Sequence, residues 1–81
     1  MLSFELKVAA LASSDELEIH VDSDGLDSLI GQLQLLKTGK ADHVHLMSPS
    51  WGGDHLTDEA VSLSNTVLRH VKILMVMGSS R

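Results

Sequence analysis

The chain has 81 residues, 43% of them hydrophobic and 21% charged, a balance that excludes a disordered segment and fits one small globular unit. Six Lys and Arg against eleven Asp and Glu leave a formal charge of -5, which disfavours nucleic acid as a partner because phosphate contacts need a basic patch. The absence of Cys removes any disulfide framework, thiolate nucleophile or Cys-based zinc site.

At the start of the chain, Leu2, Phe4, Leu6 and Val8 alternate with Ser3, Glu5 and Lys7, the period of a half-buried strand. Ser13-Ser14-Asp15 is turn chemistry. A second alternation at Leu17, Ile19 and Val21, with Glu16, Glu18 and His20 opposite, completes a predicted hairpin. Asp22-Ser23-Asp24 supplies N-cap oxygens. From residue 25 to 37 the apolar spacing changes to Leu26, Leu29, Ile30, Leu33 and Leu36, one stripe on a helix that Lys37 and Gly39 terminate.

Residues 42–47 read as a third strand, with Val44 and Leu46 on one side and His43, His45 and Met47 on the other. Ser48-Pro49-Ser50-Trp51-Gly52-Gly53 then reads as a rigid exposed loop, because Pro fixes its own φ and paired Gly permits positive φ. Residues 54–56 read as a short strand or more loop, and 57–65 as irregular. Residues 66–77 contain a last strand with Val71, Ile73, Met75 and Met77 on one face and His70, Lys72, Leu74 and Val76 on the other. The predicted fold is α+β: a small two-layer sandwich, β-β-α-β-(β)-β, with a mainly antiparallel sheet and one helix packed on one face. Residues 1–78 form its single domain and 79–81 a mobile tail. Neither a secretory leader nor a membrane span is read from the apolar runs, so the expected location is cytoplasmic.

If Leu17, Ile19, Val21, Val44, Leu46, Val71 and Ile73 face the helix, then His20, His43, His45, His70 and Lys72 share the opposite, open sheet face. Three kinds of chemistry fit that face. His43-Val44-His45 with His20 or His70, or with His55, Asp42 or Asp54, has the residue types of a zinc site, so zinc is a possible cofactor in a chain otherwise expected to need none. His paired with Asp42, Asp54 or Asp58 has those of proton transfer, although no nucleophile or phosphate-binding motif accompanies it. Trp51 offers a large rigid surface to a protein partner, with Asp54, Asp58 and Glu59 as an acidic rim; the structural alternative is that it plugs a core poor in aromatics. Residues 74–77, apolar on both faces, suggest a homodimer edge as a further option.

The chain resembles the immunity protein 32 family of bacterial polymorphic toxin systems. The resemblance rests on Leu17-Glu18-Ile19-His20, on Asp24-Gly25-Leu26, on His70-Val71-Lys72-Ile73, and above all on the run from His43 through Val44-His45-Leu46-Met47-Ser48-Pro49-Ser50-Trp51-Gly52 to Gly53. It covers most of the chain in order; residues 57–66 are not matched. It implies an α+β protein that binds and neutralises a cognate toxin domain without catalysis. The expected partner-binding residues are Trp51, Pro49, Ser50, Gly52, Gly53, Asp54, His43 and His45, the alternative metal set is His43, His45, His20 and His70, and no catalytic residue is assigned.

Overall fold

Alternating apolar positions become strands and the three-four spacing becomes the helix. In the computed structural model, which describes residues 1–7 and 16–76, β1 (Leu2–Leu6) pairs antiparallel with β2 (Leu17–Val21), Leu2 opposite Val21 and Phe4 opposite Ile19. Helix α1 spans Ser23–Lys37, and β3 is His43–Met47. A 3-10 turn follows at Pro49–Trp51, and β4 (Thr66–Leu68) and β5 (His70–Leu74) come last. The fold is α+β, with one helix and antiparallel sheets ordered β2-β1-β4 and β3-β5. Val8, the turn at Ser13-Ser14-Asp15, Met77 and the 79–81 tail lie outside the described residues.

The helix starts where its cap places it. The Asp22 carboxylate accepts the Gly25 amide at 2.8 Å, satisfying one of the free N–H groups of the first turn. It stops at Thr38, whose amide returns to Gln34 O, and Gly39 follows at φ 79°.

Two expectations about the sheet change. The single strand expected within 66–77 is divided at Arg69: β4 pairs with β1, whereas β5 pairs with β3. The Ser48 amide donates to Arg69 O at 2.9 Å, so the segment exchanges one neighbour for the other at that residue. The optional strand of the predicted order is therefore β4, not residues 54–56. There, the His55 and Leu56 amides both close onto Met47 O, and Leu56 drops into the core.

That core is Leu2, Phe4, Leu46 and Leu56, with Leu29, Leu68, Val71 and Ile73 packed against it. Helix and sheet meet over a narrow area. Of the helical stripe, Leu36 is buried and Leu29 is half-buried, while Leu26, Ile30 and Leu33 stay partly exposed.

The sheet face opposite the helix is not open along β1, contrary to the alternation reading. Ser3 and Glu5 are both 0% exposed, because the irregular 57–65 segment reaches over them. Glu5 is the anchor of that cover. Its Oε2 accepts the Val61 amide at 2.6 Å and the Ser3 hydroxyl at 2.5 Å; its Oε1 accepts Asn65 Nδ2 at 3.0 Å and the Ser62 amide at 3.3 Å. Glu18 lies directly opposite Glu5 in the β1–β2 ladder, an arrangement that like charges disfavour. Shared donors offset the repulsion: Asn65 Nδ2 also reaches Glu18 Oε1 at 3.0 Å, and His20 Nε2 lies 3.1 Å from Glu18 and 3.5 Å from Glu5.

Burial pushes the Glu5 carboxyl up, but the hydrogen bonds from Ser3, Val61, Asn65 and Ser62 outweigh it and bring the pKa down to about 2. A carboxylate whose pKa falls on folding stabilises the fold above its unfolded value, and that contribution is lost as pH falls through the folded one. Acid titration is therefore expected to remove stability between about pH 4.5 and pH 2, a loss that Glu5→Gln flattens. Glu5→Ala leaves several buried donors unpaired and is expected to cost about 3 kcal/mol in urea unfolding at neutral pH.

Candidate functional site

The loop after β3 is held by its own backbone. Ser48 O accepts the Trp51 amide at 2.9 Å and the Gly53 amide at 3.0 Å, and Pro49 O accepts the Gly52 amide at 2.9 Å. Ser48 itself is fully buried, and its hydroxyl lies 3.0 Å from that of Ser50. Gly52 takes φ 86°, a region that costs an L-residue about 1–2 kcal/mol. Gly53 is required for a different reason: a Cβ there would stand 2.5 Å from Met47 O and 2.7 Å from Met47 Cβ.

Asp58 braces the loop from outside. It accepts the Ser50 amide at 3.2 Å and lies 4.0 Å from Arg69 Nε. Hydroxyl hydrogen bonds from Ser48 and Ser50, followed by the Ser50 amide and the Arg69 charge, hold its carboxyl below the ordinary value. Of the acidic rim, Asp54 and Glu59 are exposed, whereas Asp58 is committed to this brace.

What this frame presents is Trp51, 59% exposed on a turn closed by three backbone hydrogen bonds. Trp51 does not plug the core; Leu56 does. Its ring lies 5.4 Å from that of His70, tilted by 43°. The row continues along β3 and β5. His45 Nδ1 and His70 Nε2 share a hydrogen bond of 2.8 Å, the His43 and His45 rings meet edge to face at 5.1 Å, and His43 Nδ1 donates to Asp42 at 2.7 Å. The pairing explains the convergence, because His45 faces Lys72 and Met47 faces His70, so all these side chains project opposite to the buried Val44 and Leu46. Burial, followed by the neighbouring His70, His43 and Lys72, holds His45 below its ordinary pKa, while the bond from His43 lowers Asp42.

The expected grouping of four histidines is thus divided. His43, His45 and His70 stand together beside Trp51, while His20 belongs to Glu5 and Glu18. His55 lies 3.9 Å from Asp54. Among the described residues, no group of three or more His, Asp or Glu is placed to hold a metal ion. The roles of Ser48, Asp58 and Arg69 in fixing the loop were not visible in the sequence. Only the Pro/Gly punctuation pointed to rigidity there.

Gly53→Ala is expected to displace the loop, lowering the thermal midpoint and shifting the fluorescence of the single Trp. Gly52→Ala, which meets no atom within 4 Å, should cost only the backbone term of about 1–2 kcal/mol. Equal effects of the two would contradict the close approach at Gly53.

Among the described residues no helix is long and apolar enough to cross a membrane. No curated protein and no solved structure matches the chain. The family model of immunity protein 32 matches residues 16–71, from the start of β2 into β5 and through the whole Trp51 loop. With well over half its length matched, this chain belongs to the immunity protein 32 family.

Proposed function

We propose that this protein neutralises a cognate toxin domain of a bacterial polymorphic toxin system by non-catalytic binding in the cytoplasm. The contact surface in this reading is the Trp51 loop, with Pro49, Ser50, Gly52, Gly53 and Asp54, together with His43 and His45 on the adjoining sheet face. The observation that carries it is Trp51 itself. A large aromatic ring that is 59% exposed on a hydrogen-bonded, Gly-constrained loop loses little conformational freedom on docking.

The family membership supplies the general role of immunity and hence a toxin as the partner. The charge of -5 suits a basic partner, and the exposed Asp54 and Glu59 put part of it near the loop. His45, which burial and then the neighbouring His70, His43 and Lys72 hold below its ordinary pKa, adds an imidazole face next to His70, the ring that Trp51 meets. Such a face is adaptable in hydrogen bonding, as donor or acceptor.

Co-expression with the product of the adjacent gene tests the reading. A stoichiometric complex that restores growth is the expected result. In that complex Trp51→Ala should weaken binding at least 30-fold, about 2 kcal/mol, with the thermal midpoint near that of the wild type. Unchanged affinity with a large loss of stability would contradict it.

A further inference from the structure

The β2 strand ends the β2-β1-β4 sheet, and among the described residues it pairs only with β1. The direction of its backbone groups follows from the flanking bonds. Lys7 N donates to Glu16 O at 3.2 Å and Asp22 N donates to Met1 O at 3.1 Å, so the even-numbered residues of this strand turn their N–H and C=O groups toward β1. Leu17, Ile19 and Val21 therefore direct theirs outward. The same three residues lie on the helix-bearing face, and they are 46%, 47% and 38% exposed. On the helix, Leu26, Ile30 and Leu33 are exposed to a similar degree. The strand has no Pro, no Lys and no bulge in its five-residue register, the devices that commonly guard an edge.

We propose that β2 is the interface of a symmetric dimer, in which a second copy of this chain pairs antiparallel with it about a two-fold axis at Ile19. The argument for a second copy is self-complementarity. In this register Leu17 faces the partner copy's Val21, Ile19 faces Ile19, and each pair exchanges both outward backbone bonds. On the other face Glu18 of each copy stands opposite His20 of the other, an acid against an imidazole twice over. A two-fold axis at Glu18 or at His20 would instead set glutamate against glutamate or histidine against histidine. A shift by one residue would oppose apolar to polar side chains. This surface shares no residue with the Trp51 loop, so the dimer stands or falls independently of toxin binding.

The absence of native Cys makes single-cysteine variants a direct test of register. About the Ile19 axis, two copies of Ile19→Cys bring their Cα atoms to about 5.5 Å, within the range a disulfide spans. Two copies of Leu17→Cys, or of Val21→Cys, remain about 13 Å apart along the strands. Mild oxidation of folded protein is expected to cross-link Ile19→Cys alone. It should also link Leu17→Cys to Val21→Cys when the two are mixed, and neither by itself. Sedimentation of the wild type should show a dimer, and Ile19→Lys should weaken it at least tenfold while far-UV dichroism is retained. Any of three results would overturn the proposal: a wild-type monomer up to several hundred micromolar, cross-linking of all three cysteine variants at equal rates, or a dimer that Leu74→Lys dissociates and Ile19→Lys does not.

Discussion

A buried carboxylate organises this small protein. Glu5 sits on the central strand of the β2-β1-β4 sheet, and its two oxygens collect donors from residues about 56 to 60 positions away along the chain. Those bonds seat the middle of the 57–65 segment, which contains no strand or helix, while Thr57 N on Leu2 O and Asn65 on Glu18 tie its two ends to the sheet. An ionised group in the interior is costly unless every lone pair is used. Here they are used, and among the described residues no buried side-chain polar atom is left without a partner. The same device joins β2, through Glu18 and His20, to the segment that covers β1.

Rigidity at the candidate binding surface is built from the other end of that segment. Asp58 grips the loop through Ser50, Leu56 ties it into the core, and Thr57 N donates to Leu2 O at 3.0 Å. The loop is thereby bonded to both sheets and to itself. A protein of this size has little core to spare, and Trp51 would be the largest side chain available to fill it. Its exposure in a well-braced loop is what singles the loop out as a contact surface. The His43, His45 and His70 row extends that surface along the sheet without depending on the loop for its order, since it is set by the β3–β5 register.

Much of this was legible in the residues. Period-two alternation placed β1, β2, β3 and β5, and it put His43, His45 and His70 on the face opposite Val44 and Leu46. The Asp22 cap and the stripe from Leu26 to Leu36 located the helix. What alternation could not carry was long-range: Glu5 looks like a solvent-facing strand residue because its partners, Val61, Ser62 and Asn65, lie in a stretch with no periodic signal. The division at Arg69 was equally hidden: the core-facing positions change phase there, from Leu68 in β4 to Val71 and Ile73 in β5, and a slip of one residue in so short a run does not say that the pairing partner changes. The separation of His20 from the other histidines has a related origin, because alternation fixes a face within each strand but not which sheet the strand joins: β2 belongs to the β2-β1-β4 sheet, and His43, His45 and His70 to the β3-β5 sheet.

The measurement that bears most directly on the account is nuclear magnetic resonance of the isotope-labelled chain titrated with the toxin domain. The single Trp51 indole N–H and the imidazoles of His43, His45 and His70 are each separately observable reporters. Large changes in these four, together with the 48–54 amides, are the predicted result. If they stay at their free positions while a complex forms through other residues, the Trp51 loop is not the binding surface and the central claim is wrong.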